Sequence, residues 1–392
     1  MRFDLRANIV NLYIIKVSKW FMLVMPIVVL FYGAHGLNNS QVFILQAIYS
    51  ISIVIWEIPS GYIADVIGRK KSMLLGGILG FVGYLIYSLS FGFWGFVAAE
   101  LVLGVGQSMI SGADSALLYD SLAYAKRKKD YNKYEGLITS VGNFSEAVGG
   151  VAGGLLAAIS IRYPYYAQAF VAFWAIPASL LLVEPPLHIG RRKPQWSDIF
   201  RIVKDTLHTN PKLRWNTLFS SFTGASTLTM AWMAQLYFSS ANLPISWFGV
   251  VWTILNLVVG VSSMVAFKVE KRFGPIATVT GFTVMLSCSY FFMGLKIWLP
   301  GLAFLVLFYI ARGIATPTLK DYVNRITESD VRATVLSVRN FTIRIIFAVM
   351  GPIYGWCTDM FGLSAALFLA GTLYSLFNFS TLYFFIKHRT FE

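Results

Sequence analysis

The sequence predicts an all-α membrane protein of twelve transmembrane helices, and three observations carry that expectation. Hydrophobic residues make up 57% of the 392 residues and charged residues only 13%, whereas soluble domains carry roughly 25% charged residues. Apolar runs recur at 20–32, 44–56, 73–91, 166–183, 276–295 and 365–386, reaching or nearing the ~20 residues that cross ~30 Å of hydrocarbon. The basic residues gather in alternate connections.

Hydropathy and loop signals place the spans near 14–36, 41–63, 72–93, 95–122, 134–160, 165–184, 212–238, 245–268, 276–296, 299–325, 332–357 and 363–386. With both termini on one side, that side receives Arg2 and Arg6, then Arg69, Lys70 and Lys71, then Lys126, Arg127, Lys128, Lys129 and Lys133. It also receives Arg191, Arg192 and Lys193, Lys268, Lys271 and Arg272, and Lys387 and Arg389, whereas only Arg162 and Lys296 fall in loops opposite. By the positive-inside rule the termini and basic loops are cytoplasmic. The net charge of +14 therefore records topology and implies no nucleic-acid partner. Met1 to Asn11 shows no signal-peptide cleavage pattern, so the first span is expected to direct insertion. The expected setting is the lipid bilayer of a plasma membrane, a bacterial inner membrane in particular, with the chain a monomer. Cys288 and Cys357 lie in separate spans and suggest no disulfide framework.

The long polar connection 185–211 divides the chain into an N-terminal bundle, 1–184, and a C-terminal bundle, 212–392. Within it Trp196, Ile199, Phe200, Val203 and Leu207 recur at helical spacing beside Arg201 and Lys204, the pattern of an amphipathic linker helix on the cytoplasmic surface. The two bundles read as copies. Ser140-Val141-Gly142-Asn143-Phe144-Ser145 in span 5 is echoed by Ser337-Val338-Arg339-Asn340-Phe341-Thr342 in span 11, and Gly106 with Asp114 in span 4 by Gly313 with Asp321 in span 10. Pseudo-symmetric six-span repeats place a binding site between them near the membrane midplane.

Span 2 runs into Gly61-Tyr62-Ile63-Ala64-Asp65-Val66-Ile67-Gly68-Arg69-Lys70-Lys71 before span 3. Gly61 would let another helix approach, Gly68 permits a tight turn, and Asp65 suits the positive end of a neighbouring helix. This loop resembles the signature of the major facilitator superfamily, and span count, cytoplasmic termini and central loop agree. A degenerate echo stands after span 8 at Ala266, Glu270 and Gly274. The resemblance implies that chain's fold, a secondary transporter working by alternating access on a small-molecule substrate, and a cytoplasmic latch in which Arg69 meets Asp120 at the end of span 4. Glu100 before Gly104-Val105-Gly106 replaces the Arg that drug exporters of the superfamily often carry, and Gly149-Gly150 and Gly153-Gly154 lack their Pro. Export of drugs or metabolites and import of an anionic nutrient or siderophore therefore both remain open.

A charge at mid-membrane costs ~2.5–3.5 kcal/mol on the insertion scale, so each one is a functional candidate. The first half offers Glu57, Glu100, Asp114 and Glu146, and the second Arg312, Lys320, Asp321, Arg339 and Arg344. On a continuous helix Glu100 and Asp114 lie within about 40° of one face and roughly 21 Å apart, which would place both on one cavity wall. Asp114 and Glu146 serve either as proton carriers, since a dry carboxylate titrates nearer neutrality, or as static partners of Arg312 or Arg344. Those arginines suit a substrate carboxylate or phosphate, or interhelical pairing. Asn143 and Asn340 suit interhelical hydrogen bonds more than ligands. Ser220, Ser221, Thr223, Ser226, Thr227 and Thr229 make span 7 polar, either lining a cavity or packing. Glu57, about 12 Å from the cytoplasmic loop, and Arg339, about 10 Å up span 11, match in depth and would form an inter-half gate.

A membrane-embedded enzyme would need a catalytic or metal cluster, yet His35, His188, His208 and His388 lie at a span end, in the central loop or in the tail. No cofactor or metal is expected, and a receptor is disfavoured by the two-fold repeat.

Overall fold

The computed structural model describes residues 4–185, 205–327 and 332–391. The linker-helix residues Trp196, Ile199, Phe200, Arg201, Val203 and Lys204 lie outside them. Described residues fold into helices joined by short turns: α1 (Leu5–Trp20), α2 (Val28–Ala34), α3 (Asn39–Ile67), α4 (Arg69–Leu89), α5 (Phe93–Ile110), α6 (Ala113–Tyr124) and α7 (Tyr131–Ile159). After them come α8 (Tyr163–Phe173), α9 (Ala175–Leu181), α10 (Pro211–Ser240), α11 (Ile245–Phe273), α12 (Pro275–Leu295), α13 (Leu302–Arg325) and α14 (Arg332–Lys387). Gly362, at φ 83°, folds α14 into two segments.

Among the described residues seven helices are long and apolar enough to cross a membrane. The expected first span, 14–36, is corrected. Helix begins at Leu5, stops at Trp20 and resumes only at Val28. The expected continuous span 95–122 is likewise interrupted, at Ser111 and Gly112 between α5 and α6, and 165–184 changes helix at Trp174.

The starts are encoded locally. The Asp4 carboxylate accepts the Arg6 N–H at 2.8 Å and caps α1, and Asn210 accepts the Leu213 N–H at 3.2 Å ahead of Pro211 at the start of α10. Both satisfy donors that a helix cannot satisfy itself.

Two compact units result. The first holds 1–37, 48–190 and 244–253, and the second 38–47, 191–243 and 254–392. In the first, Leu12, Ile15, Met73, Ile110, Leu117, Leu118 and Ile138 form one apolar cluster. Asn8, fully buried, donates to the Val183 carbonyl at 2.7 Å and accepts the Val183 N–H at 2.9 Å, fastening α1 to the end of α9. In the second unit α10 packs along α14. Its hydroxyl residues serve packing: Ser220, Ser221, Thr223, Ser226 and Thr229 are buried, Thr229 bonds the Tyr374 hydroxyl at 2.7 Å, and Tyr290 donates to the Ser226 carbonyl at 2.8 Å. Asp359, beside the Gly362 turn, accepts from the N–H groups of Asn39 and Ser40 at 2.9 and 2.8 Å and from their side chains at 2.8 and 2.6 Å.

Candidate functional site

The interruption of the first span is built by its neighbours. Residues 21–27, with Pro26 among them, leave the helical path, and the freed Leu23 N–H is taken by the Gln168 Oε1 at 2.8 Å. That backbone lies so close to α7 that a Cβ on Gly149 would sit 2.9 Å from the Met22 nitrogen, and one on Gly153 would collide with the Leu23 carbonyl. Non-helical backbone at membrane depth is tolerated where protein buries it, and Gln168, itself fully buried, meets that condition.

The second interruption lies at Gly112, whose φ of +80° suits glycine and turns the chain between α5 and α6. Asp114 then falls in the first turn of α6, where a carboxylate meets the positive helix end. The Ser115 N–H donates to Asp114 Oδ1 at 2.8 Å and the Ser115 hydroxyl to Glu135 Oε1 at 2.6 Å.

A narrow cavity opens where these pieces meet. Lys16 and Lys19 of α1 line it with Asp114 and Ser115 of α6 and Glu135 of α7, against Leu12, Ile15, Ile110 and Ile138. Asp114 was legible as a candidate. Lys16, Lys19 and Glu135 were missed, although Leu12, Ile15, Lys16 and Lys19 follow the spacing of one helix face, because the first span was expected to begin near residue 14.

The turn at Gly112 also separates Glu100 from Asp114, which corrects their placement on one wall. Glu100 is 5% exposed and accepts from the Tyr32 hydroxyl at 2.8 Å, with Tyr87 bonded to Tyr32 at 2.5 Å and Phe96 packed on both rings. Nearby, Arg162 donates to the Ser88 and Ser90 carbonyls at 3.0 Å and reaches His35 Nε2 at 2.5 Å.

At the loop between α3 and α4, the Arg69 guanidinium pairs with the Asp120 carboxylate and donates to the Ala116 carbonyl at 2.8 Å. The partners are 15% and 17% exposed, so water only partly screens the pair. The Arg69 backbone N–H donates to Glu184 Oε1 at 2.5 Å, capping α4 from beyond α9. Gly68 has φ +101°, and a Cβ there would stand 2.5 Å from Glu184 Oε2. Glu184 escaped the sequence reading because nothing local pairs residues so far apart. Among the described residues nothing lies within 4 Å of a Cβ built on Gly61. The Asp65 side chain lies outside the described residues. In the second unit Arg325 pairs with Asp321 at 2.6 Å and Glu270 at 3.5 Å, an echo with the charges on exchanged elements.

Arg339 of α14 donates to the Ser220 hydroxyl and, at 3.4 Å, to Asn340 Oδ1. Arg312 lies over the Tyr309 ring at 5.4 Å, and Arg344 is half-buried. Glu57 sits in α3 and Glu146 in α7, both half-buried, whereas Asn143 and Asn340 are exposed.

The profile of the Major Facilitator Superfamily matches residues 17–352. The chain belongs to that superfamily. An uncharacterised MFS-type transporter of Methanocaldococcus jannaschii is 19% identical over 346 residues, 86% of this chain and 87% of that protein. The quinolone resistance protein NorA of Staphylococcus aureus is 24% identical over 164 residues, which cover 42% of this chain and 41% of NorA. In fold, the crystal structure of the nucleoside transporter NupG matches with a TM-score of 0.79 at 13% identity, covering 98% of this chain and 99% of that one. The protein is thus a multi-pass membrane transporter, not an enzyme, and its charged cavity lies at two interrupted helices of a transporter fold.

Proposed function

We propose that this transporter moves a small organic solute by proton-coupled alternating access, in the direction of efflux. The observation that carries the reading is the cavity where two interrupted helices bring Asp114 and Glu135 against Lys16 and Lys19. Interrupted helices mark the binding sites of secondary transporters, and a mid-membrane carboxylate that can be neutralised by a proton gives the site two charge states. Efflux is supported by the likeness to the quinolone resistance protein, which spans part of both chains. Twelve spans in two bundles, 1–184 and 212–392 about the linker 185–211, with cytoplasmic termini, accord with the distribution of Lys and Arg. Asp114 and Glu146 carry the proton in this reading, Arg312 and Arg344 face the solute from the second half, and Arg69, Asp120 and Glu184 latch the cytoplasmic side.

Efflux of a fluorescent quinolone from proteoliposomes, with a proton gradient imposed in either direction, tests it. Asp114→Asn is expected to abolish the response to the gradient while counterflow persists. Gradient-driven flux that is unaltered by both Asp114→Asn and Glu146→Gln would rule out coupling at these carboxylates.

A further inference from the structure

The cavity at the two interrupted helices is balanced in charge. Lys16 and Lys19 face Asp114 and Glu135 across it, with room between them for about one water molecule. Lys19 is half-buried and makes no direct hydrogen bond or ion pair to a described residue, yet of the charges around it the Asp114 carboxylate acts on it most strongly, followed by Lys16 with the opposite sign. Lys16 is drawn aside, over the Trp20 ring at 5.4 Å, with its stem along α7 where a Cβ on Gly142 would stand 3.0 Å from Cε. Lys19 is thus the cation best placed to act on Asp114.

The other groups that face Asp114 are few. From α7 come Glu135, which accepts from the Ser115 hydroxyl at 2.6 Å, and Tyr131, within electrostatic reach of both carboxylates. Helix α5 contributes only Ile110 to the cavity. Helix α4, which also packs on α6, brings Arg69, whose guanidinium is taken by Asp120. On α6 itself the Ser115 N–H donates to Asp114 Oδ1 at 2.8 Å.

A carboxylate gives up its proton more readily beside a cation and less readily beside another carboxylate. Lys19 and Glu135 therefore act on the protonation of Asp114 in opposite directions. A direct ion pair would clamp Asp114 in its charged form, whereas an ammonium held off by the width of a water favours the charged form and leaves the carboxylate open to a proton. Lys19 also stands in the last turn of α1, at the negative end of that helix. Were that its whole role, replacing it would leave the protonation of Asp114 unmoved.

We infer that Lys19 is a positioning residue for the proton step: across one water it sets the pH at which Asp114 takes its proton, with Glu135 opposing it. The inference rests on the proposed proton coupling at Asp114 and names the residues that tune it. One proton taken up leaves the cavity with a positive charge in excess, so the two protonation states differ in the charge that the surrounding helices accommodate, and a conformational equilibrium responds to such a difference.

The test uses the purified full chain in lipid nanodiscs. Infrared difference spectra recorded as the pH is stepped follow the carboxyl C=O stretch of Asp114, which is assigned by its loss in Asp114→Asn. An opposite charge a few ångströms away moves a carboxylate by about 1–3 pH units, and a water-separated, half-buried pair belongs at the lower end. Lys19→Gln should therefore raise the midpoint by about one pH unit, a tenfold gain in proton affinity. Lys16→Gln should raise it by less, and Glu135→Gln should lower it. Lys19→Arg should keep the parent midpoint, which separates a charge requirement from a packing defect. In proteoliposomes the pH midpoint of gradient-driven flux should move with the infrared midpoint in each variant. A Lys19→Gln midpoint that stays with the parent or falls, a Lys19→Arg midpoint shifted as far as that of Lys19→Gln, or a parent with no Asp114 band at any pH at which it stays folded would each overturn the role of Lys19. A raised midpoint in Glu135→Gln would overturn the opposition of the two residues. Failure of the coupling reading is a separate outcome, seen as absence of gradient-driven flux while the infrared shifts persist.

Discussion

Removing the Asp359 carboxylate should loosen the start of α3 without disturbing any transmembrane charge. Four donors converge on it, the N–H and side-chain groups of Asn39 and Ser40, so that a residue some 320 positions away caps the start of α3. Capping by a polar side chain is worth about 1 kcal/mol, with a range of roughly 0.5–2. Asp359 is exposed, so solvent competes for the same donors and the lower part of that range applies. Asp359→Ala should therefore lower the apparent melting temperature by roughly 1–3 °C, and Asp359→Asn, which keeps one acceptor oxygen, by less.

The pH dependence has a definite sign. Burial would raise the Asp359 pKa, but the hydrogen bonds from Ser40 and Asn39 outweigh it and hold the group below the ordinary carboxylate range. A group depressed in the folded state contributes stability above its unfolded pKa and loses it as the pH falls through the folded value. The gap between parent and Asp359→Ala should be full at neutral pH and close only below about pH 4. Melting is followed by tryptophan fluorescence in nanodiscs at a fixed scan rate. A variant that melts with the parent at pH 7, or a gap that widens on acidification, would refute the cap.

Arg69→Ala should insert and fold yet exchange solute poorly, because a latch biases a conformational equilibrium without touching substrate; normal counterflow by a well-expressed variant counts against the latch. Glu184→Gln should have a similar but smaller effect, since the amide still accepts from the Arg69 N–H while the charge at the helix start is lost, and equal loss in both variants would show that the charge matters more than the bond. Cysteines at 57 and 339 are expected to cross-link when the cytoplasmic side closes, and the Glu57→Arg, Arg339→Glu exchange to recover part of what each single change loses. No cross-link in any state together with an inactive exchange would end the proposed gate.

The sequence exposes what is local and hides what is made by distant partners. The loop from Gly61 to Lys71 is legible because its chemistry is compressed into one connection, and Arg69 does meet Asp120. The alternation of basic and neutral loops is legible because the bilayer imposes it on each connection separately. Hydropathy places the spans but says nothing of their continuity, since an interruption needs little change in polarity. At Leu23 the cause is Gln168 on α8 and glycines on α7, and no window along the first span contains them. At Gly112 the signal was present in the chain, for a glycine ahead of an aspartate is an ordinary start for a helix, yet the apolar run around it reads as uninterrupted.

That difference decides which charges were found. Helical geometry on an unbroken span 4 aligned Glu100 with Asp114, and the turn at Gly112 breaks the alignment, leaving one carboxylate among tyrosines and the other facing two lysines. The same holds for the first span: with the helix beginning at Leu5 rather than near residue 14, Lys16 and Lys19 stand towards its C-terminal end instead of in its first turns. A charge is judged by its depth, and depth is judged by where the helix begins. The interruptions that hydropathy cannot see are therefore also what assembles the cavity, because each one brings a helix end, with its partial charge and its unsatisfied backbone groups, to the place where the titratable side chains gather.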